Sequence, residues 1–468
     1  MGHRAGEDRT QGFLFPVAMD ELVTAGSIVR VIDAWAGSLD MSKLGFSKAR
    51  PQVLGAPPYD PADLLRLYVW GYLNSVRSSR KLERECHRNV ECMWLLRKLA
   101  PDHKTIAQFR REHPNALAAT CACFVEFARQ QRLIGSNTVA IDGTKIRAVA
   151  SRKSVLSSRQ LKEQARRSAE QIAAYMQLLD QQDAQEEDVR CTPEDVLAAL
   201  RQLQRKGAQI EEQLRQLEEA GVKTLVQTEP DAQLMTSGPG YNVQTAVEAT
   251  SHLIVHHTVV AEANDERQLQ PMAEGATRAL QTPCTAVADA GYVNGRQISA
   301  LDDQNITTFV APARSANNTG LLERSAFTFD AQRDCFVCPA GNLLTRKKVS
   351  HREQKVIYEA ATRDCSKCPR KPECTRAPKR SVVRSFHEDA LQANAQRVHE
   401  QPQMMKLRRS TVEHPFADLK HRILGNARFL VRGKRGATAE TSIAVLAYNL
   451  KRVFNMKSGP WMIGALQG

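Results

Sequence analysis

The sequence predicts an α/β protein: a mixed β-sheet with flanking helices, joined to an all-helical N-terminal region, a helical hairpin and a Cys-rich insertion. Three observations carry that prediction. Apolar residues recur at steps of three and four through residues 1–135, the spacing of short amphipathic helices. Beyond Ser237-Gly-Pro-Gly240 the period shortens to two, the spacing of strands. Between these blocks, residues 154–221 are rich in Gln, Glu, Arg, Leu and Ala, with apolar positions alternating at steps of four and three.

In the N-terminal region Leu64, Leu65, Tyr68 and Tyr72 mark one apolar face, Leu82 and Cys86 a second, and Leu117, Cys121, Phe124 and Ala128 a third. Ser78-Ser79-Arg80-Lys81 and the capping-box pattern Thr105-x-x-Gln108 read as helix starts, because Ser and Thr side chains accept the unpaired N–H groups of a first turn. Short helices carrying Arg77, Arg80, Lys81, Arg84, Lys104, Arg110 and Arg111 suit a helix-turn-helix that lays cations on phosphates; a helical bundle with a solvated basic face is the alternative. In the hairpin, Ile172, Tyr175 and Leu179 form one stripe, and Val196, Leu200, Leu203, Gly207, Ile210, Leu214 and Leu217 form another. Thr192-Pro193-Glu194-Asp195 reads as an N-cap and first turn, and Gly221 as a stop. No catalytic constellation lies here, so packing or dimer contact is the expected role.

Val243, Thr245 and Val247 alternate with Asn242, Gln244 and Glu248, and Leu253, Val255, His257 and Val259 repeat the alternation beyond a Thr-Ser-His turn, as in a hairpin. Asp265 to Gln268 reads as a second capping box opening a helix. CTAVADAGY (284–292) and ITTFVAP (306–312) then read as short buried strands separated by a helix. The expected layout is a helical region over 1–135, a sheet core over 136–153, 222–330 and 395–458, the hairpin over 154–221 and the Cys-rich insertion over 331–385.

Lys and Arg number 65 against 51 Asp and Glu, a formal charge of +14 that favours a polyanionic partner, nucleic acid or an acidic membrane surface. No run approaches the ~18 apolar residues of a spanning helix. The N-terminal FLF, flanked by charges of both signs, is too short for the apolar region of a signal peptide. A soluble, cytoplasmic chain is expected. Eleven cysteines, an odd total with several inside apolar helical patterns, fit a reducing compartment rather than a disulfide framework.

The chemistry concentrates at three acids. VAIDG places Asp142, and AVADAGY places Asp289, each after an apolar strand where ligands collect in α/β sheets. Two such carboxylates repel unless a cation lies between them, and a hard cation such as Mg²⁺ prefers their oxygens. For either aspartate alone, capping of a turn is the plainer role. In residues 406–436, Arg409, Glu413 and Lys420 are separated by four and seven positions and share a face of any continuous helix. Pro415 qualifies this, since a kink there, or a helix beginning near Thr411, would take Arg409 off that face. Lys406, Arg408, Arg422, Arg428, Arg432, Lys434 and Arg435 surround the acid, a density suited to phosphate.

Elsewhere, Cys335-x2-Cys338 and Cys365-x2-Cys368, with Cys374 as a fifth thiol, have the spacing of a four-thiolate zinc site; a reduced, metal-free loop is the alternative. His256 and His257 are neighbours on a strand, point to opposite faces and are expected to be structural. Tyr448 lies on an apolar helical stripe, where packing is preferred to a nucleophilic role.

Taken together, IDGTKIRAVAS, TEPDAQLM, GYNVQTAVE, VADAGY and VEHPFADLK with RFLVRG resemble the bacterial insertion-sequence transposases of the DDE type, specifically the insertion-sequence group eleven-eighty-two. Tyr59-Asp-Pro61, SSRKLERE and PDHKTIAQFR resemble that group's N-terminal domain, so the similarity runs through nearly the whole chain. The resemblance implies an RNase H-like catalytic core in which Asp142, Asp289 and Glu413 form the triad. Arg409-x3-Glu413-x6-Lys420 is similar to the Tyr-Arg-Glu-Lys signature of related transposases, and the chain departs from it at the tyrosine, where Lys406 stands. The group's Cys-Pro-x-Gly pattern implies Cys338, Cys365, Cys368 and Cys374 as the candidate Zn²⁺ ligands and Cys335 as the spare.

The implied function is a DNA transposase that binds the terminal inverted repeats of its element and cuts and rejoins double-stranded DNA. Pairing two ends implies at least a homodimer on DNA. Two Mg²⁺ or Mn²⁺ ions about 3.5–4 Å apart, bridged by Asp142, would activate water, and the freed 3′-OH would then attack target DNA. Arg409 and Lys420 would hold phosphates, as would Lys145 unless it is simply a solvent-exposed lysine. Arg80, Lys81, Lys104 and Arg110 would contact DNA from the N-terminal helices. The protein would be cytoplasmic and nucleoid-associated when on DNA. The rival is a catalytically inactive DNA-binding protein that keeps the fold; the intact triad favours the enzyme.

Overall fold

Short polar side chains set the starts of the N-terminal helices. Ser27 Oγ accepts from Val29 N at 3.2 Å and opens α1 (Ile28–Ser38). Asp60 accepts from Ala62 N at 2.8 Å ahead of α2 (Pro61–Leu73), whose first residue is the proline that such a position tolerates. α3 (Ser79–Arg88), α4 (Val90–Leu95), α5 (His103–Glu112) and α6 (Pro114–Gln130) follow. The cap of α5 is Asp102 rather than Thr105: its Oδ1 accepts from Lys104 N and Thr105 N at 2.7 and 3.0 Å, and a carboxylate also complements the helix dipole. This computed structural model describes residues 18–50, 57–182, 193–312 and 320–467. The N-terminal FLF and Thr192 lie outside the described residues, as do the side chains of Leu179 and Val196.

The central sheet begins with β1 (Thr138–Arg147). β2 (Val155–Ser157) pairs antiparallel with β3 (Thr224–Val226), closing the base of a helical hairpin, α7 (Ser158–Gln182) and α8 (Pro193–Ala220). Leu161, Ile210 and Leu217 are buried between the helices and this base, and Leu200 is also buried, as the seven-residue repeat predicts. Gly221 ends α8 at φ +64°, the left-handed conformation that glycine adopts without strain.

β4 (Gln233–Met235), β5 (Gly238–Glu248), β6 (Ile254–Val260), α9 (Leu269–Leu280), β7 (Thr285–Ala288), α10 (Gly295–Asp302) and β8 (Thr307–Val310) complete the core. The sheet order is β4-β5-β1-β7-β8, with β6 also on β5. β1, β5 and β6 pair antiparallel; β7 and β8 continue parallel to β1. Every residue of β5 is buried, Asn242, Gln244 and Glu248 included, because both faces of the sheet are covered. The alternation in the sequence therefore marks two buried faces, one of them polar.

A second, five-stranded antiparallel sheet contains β9 (Thr328–Asp330), β10 (Cys335–Val337), β11 (Leu343–Ser350), β12 (Lys355–Ala360) and β13 (Ser381–Ser385). Two short helices, α11 (Thr362–Ser366) and α12 (Lys371–Cys374), join its last strands. The chain then returns to the central sheet through α13 (Glu388–Glu400) and α14 (Gln403–Ala417), and finishes with α15 (Gly433–Met456) and α16 (Gly459–Gln467).

The largest hydrophobic core runs from Val31, Leu65 and Phe124 of the N-terminal helices through Ile443 and Leu450 of α15 to Val243 and Val259 of the sheet. The expected boundary near residue 135 falls in the connection between α6 and β1, but the core crosses it. The reason is α15, which is buried around most of its circumference and packs on both sides. No helix among the described residues is long and apolar enough to cross a membrane, and every described cysteine is a free thiol.

Candidate active site

Register brings Asp142 and Asp289 together. Val287 of β7 lies opposite Ala140 of the parallel strand β1, so two residues further along each chain the aspartates stand level at the edge where β7 ends. Asp142 itself is not at a strand end, as its sequence suggests. β1 continues to Arg147, with Asp142 opposite Thr245 of β5. The strand keeps a partner on that side while losing one on the other.

The two carboxylates are joined by one cation. Arg408 Nη2 of α14 donates to Asp142 Oδ2 at 2.7 Å and to Asp289 Oδ2 at 3.1 Å. The remaining oxygens accept backbone amides, Asp142 Oδ1 from Gly143 N at 2.8 Å and Asp289 Oδ1 from Gly291 N at 2.9 Å. Burial pushes the Asp142 carboxyl up to about 6; Arg408 and the Gly143 amide oppose the rise, while Asp289 and Asp265 add to it. A carboxyl held high by burial and like charges, in a cluster of acids, marks a functional site.

Asp265 has a different role from the helix cap that its sequence suggests. It does not cap α9, which begins only at Leu269. Its Oδ1 instead accepts from Lys145 Nζ at 3.0 Å, Asn242 Nδ2 at 2.7 Å and Gln244 Nε2 at 2.7 Å. Gln244 Oε1 in turn accepts the Tyr292 hydroxyl at 2.5 Å. Tyr292 is raised above the usual phenol range, first by burial and then by Asp265, Asp142 and Asp289. The polar face of β5 is thus the floor of the site, and Lys145 is committed to Asp265 rather than free in solvent.

α14 runs unbroken from Gln403 to Ala417, through Pro415, so the late start near Thr411 does not occur. Proline leaves the Thr411 carbonyl without its helical donor, and His252 Nδ1 lies 3.4 Å from that oxygen. The helix then widens into a π-turn over Asp418–Ile423. Lys420 in this turn is half-buried; burial lowers its pKa and the charge of Asp142 opposes the fall. Arg409 and Glu413 stand on the exposed side of α14, and Glu413 makes no ion pair or side-chain hydrogen bond among the described residues. The cation at the pair is therefore Arg408, one residue from the expected Arg409. No three His, Cys, Asp or Glu side chains among the described residues come together closely enough to hold a metal.

The remaining cations divide between surface and core. Arg80, Lys81, Lys104, Lys406, Arg432, Lys434 and Arg435 are exposed. Arg110, expected on a phosphate-facing surface, is only 5 % exposed. Its Nη1 donates to Tyr72 Oη at 3.2 Å and to the Arg77 carbonyl at 3.3 Å, and its guanidinium lies over the Tyr68 ring. That residue builds the helical core. Arg428 is exposed, and its guanidinium donates to the carbonyls of Ala148 and Val149. Of the TEPDAQ stretch, Glu229 is a buried clamp that accepts from Tyr241 Oη, Gly433 N and Ala150 N. His256 packs on Gly275 of α9 and His257 Nε2 lies 2.9 Å from Ser442 Oγ of α15, on opposite sides of β6. Tyr448 is buried and donates to the His252 carbonyl at 3.0 Å.

Two family models match the chain. Residues 17–112 match a transposase domain (DUF772), and residues 337–454 match a transposase DDE domain. The second match spans Cys338, Cys365, Cys368, Cys374, Arg408 and Glu413; Asp142, Asp265, Asp289 and Cys335 lie between the two matched stretches. No curated protein and no solved structure matches. With a transposase domain at its head and a DDE domain closing on the aspartate pair, the chain belongs to the DDE-type insertion-sequence transposases.

Proposed function

We propose that this transposase, a member of the insertion-sequence group eleven-eighty-two, cuts double-stranded DNA at the terminal inverted repeats of its element and joins the freed 3′ ends to target DNA. Asp142 and Asp289, with Glu413 as third carboxylate, would hold two Mg²⁺ or Mn²⁺ ions. The observation that carries this reading is the single guanidinium bridging two carboxylates from two strands: the chain itself puts a cation where a hard dication would go. The oxygen-only donor set fits such an ion. When bound, the ions would polarise the phosphodiester and lower the pKa of water at neutral pH.

The residues of the chain supply position and charge. Arg408, displaced from the aspartates, becomes a phosphate ligand at the same spot, with Lys420 beside it. Lys145 stays paired with Asp265 and holds the β1 and β5 side of the floor rigid. The exposed cations of α3 and α5, with Lys406, Arg409, Arg432, Lys434 and Arg435, neutralise phosphates along the duplex. The strand order β6-β5-β1-β7-β8, antiparallel then parallel, supports an RNase H-like core. Two DNA ends must be held at once, so the working form is at least a homodimer.

A second reading of the third carboxylate has its own support. Asp265, not Glu413, acts electrostatically on Asp142 in this structure. The test incubates the protein with Mg²⁺ and a DNA fragment bearing a terminal repeat, beside Asp142→Asn, Glu413→Gln and Asp265→Asn. Loss of cleavage in Asp142→Asn and Glu413→Gln is expected. Cleavage by Glu413→Gln with none by Asp265→Asn would transfer the role to Asp265, and wild-type cleavage by Asp142→Asn would overturn the catalytic assignment.

A further inference from the structure

Beside the aspartates a cleft of about 880 Å³ opens between the central sheet and the β11–β12 turn of the second sheet. Arg267, Arg296 and Arg352 line it, from the segment before α9, the first turn of α10 and the β11–β12 turn respectively. All three are exposed, and none makes an ion pair, a side-chain hydrogen bond or a ring contact among the described residues. Of the two acids in the lining, Glu353 is matched by Lys355 Nζ at 2.7 Å, which leaves Glu266 against three guanidinium groups. Cations gathered in a cleft from three separate segments repel one another and raise the local concentration of anions.

The inner wall shares its two segments with the acidic cluster. Asp265 directly precedes Glu266 and Arg267, and the turn that Asp289 caps, Ala290–Tyr292, runs into Val293, Asn294 and α10. Side-chain amides tie these segments together. Gln297 Nε2 donates to the Arg267 carbonyl at 2.9 Å, Gln270 N donates to Gln297 Oε1 at 3.2 Å, and Asn294 Nδ2 donates to the Glu266 carbonyl at 3.3 Å. The outer wall is held in the same way: Phe386 N donates to the Gln354 carbonyl at 2.9 Å, and His387 Nε2 lies 3.2 Å from Gln354 Oε1. The walls meet at Gly295, where an added Cβ would stand 3.1 Å from His387 Cβ and 3.2 Å from Leu391 Cδ1. The backbone that carries the three arginines is thus set before any anion arrives, which lowers the cost of binding one.

The lining selects the chemistry of the ligand. Pockets for small molecules are walled mostly by apolar and aromatic side chains, and strands held through their bases need aromatic platforms. Among the described residues this lining has no Phe, Tyr or Trp, and Val293 and Leu391 are its large apolar members. Guanidinium and amide groups instead suit phosphate oxygens, which carry no sequence information.

We propose that this cleft holds the sugar-phosphate backbone of the DNA flanking the element, just beyond the phosphate to be cut, with Arg267, Arg296 and Arg352 as its phosphate ligands. The proposal rests on the reading of Asp142 and Asp289 as the cleavage site. The N-terminal helices reach the aspartates by another segment. β1 runs past Asp142 to Arg147, whose amide donates to the Ala427 carbonyl at 2.9 Å, and Arg77, ahead of α3, donates to the neighbouring Arg428 carbonyl at 3.0 Å. The exposed cations of α3 therefore approach along β1, whereas the cleft follows the chain that leaves Asp289. A terminal repeat held by the N-terminal helices presents its cut site to the aspartates and its flank to the cleft. A flank changes sequence with every insertion, so contacts to its backbone rather than its bases are what such a site can use.

The test measures binding of the full chain by fluorescence anisotropy, without divalent ions so that no strand is cut. Two duplexes carry the terminal repeat, one with about ten base pairs of flank, a single helical turn, and one ending flush at the cut site. The slope of log K against log salt is expected to be steeper for the flanked duplex by about 2–3, close to one for each arginine. In the combined variant Arg267→Ala, Arg296→Ala and Arg352→Ala that difference is expected to vanish while the flush duplex binds as before, which also shows that the fold is intact. Equal slopes for the two duplexes in the wild type, or a flank difference that survives the combined variant, would overturn the assignment. A surviving difference together with weaker capture of a separate random-sequence duplex would give the cleft to target DNA instead. No cleavage is read here, so the two readings fail separately: a flank difference in a chain without nuclease activity removes the catalytic assignment and keeps the cleft, and cleavage without a flank difference does the reverse.

Discussion

A Cβ added at Gly143 would stand 2.2 Å from Gln244 Nε2, 2.7 Å from Asp265 Oδ1 and 2.8 Å from Asn242 Oδ1. This is why glycine follows Asp142: the polar floor presses directly on its Cα. Gly143→Ala is expected to cost about 1–3 kcal/mol of stability, read from urea unfolding, because three hydrogen-bonded side chains must shift together. Cleavage should fall further than stability, since the displaced network supports Asp142. An alanine variant as stable and active as the wild type would contradict a floor that holds Asp142 in place. At this scale the two aspartates are legible in the sequence, each closing an apolar run. Arg408 and Asp265 are not: neighbouring arginines differ by about 100° around a helix, and only the docking of α14 decides which one faces inward. Asp265 has the local pattern of a cap, and the side chains it serves lie on two other strands.

At the scale of elements, β6 carries a pH response. Burial holds His256 down at about 4, with Arg278 adding to it, and His257 at about 3, with His256 adding to it. Both folded values lie below the unfolded value near 6.5, so the fold requires the neutral rings. Their contribution is whole above about pH 6.5 and is lost as the pH falls toward 4. Both residues keep some solvent exposure, so the slope should stay below the ceiling of about 1.4 kcal/mol per pH unit for each histidine. Urea midpoints measured across that range should drop toward acid, and less steeply in His257→Gln; a flat wild-type profile would contradict the buried neutral pair. α14 shows the same dependence on surroundings. Seven residues along a regular α-helix return to within about 20° of one face, which would set Lys420 beside Glu413 on the exposed side. The π-turn after Pro415 breaks that register and brings Lys420 in toward Asp142.

The whole molecule is tied together at Glu440 of α15, which is fully buried. Its Oε1 accepts from Leu430 N at 2.7 Å and Val431 N at 2.8 Å, and its Oε2 from Arg77 Nη1 at 3.1 Å and Tyr72 Oη at 3.3 Å. One carboxylate therefore joins the N-terminal helices to the loop that follows the π-turn. Glu440→Gln leaves Arg77 without its counter-charge and is expected to cost about 3–5 kcal/mol. Adding Arg77→Met should recover part of that loss, and the double-mutant cycle measures the coupling. Because the core is continuous across residue 135, loss at Glu440 should destabilise the N-terminal helices and central sheet together. Separate transitions for the two, followed by fluorescence and by limited proteolysis, would contradict a shared core.

The sequence by itself determined most elements of the helical region, the hairpin and the central sheet, the acidic and thiol candidates and the kinship, because helical and strand periods and motif spacings are local properties; the five-stranded sheet of the Cys-rich insertion came only from the structure. It marked the apolar stripe of the hairpin but left open whether that stripe packs within the hairpin or against a second copy; the structure packs Leu161 against Ile210 and Leu217. Only the tertiary structure decided which arginine meets the aspartates, that Asp265 and Lys145 form the floor, that Arg110 supports a core and that the helical region shares its interior with the sheet. Each of these depends on how separate segments dock, and docking is settled by surfaces that meet across hundreds of residues rather than by the order of side chains along any one of them.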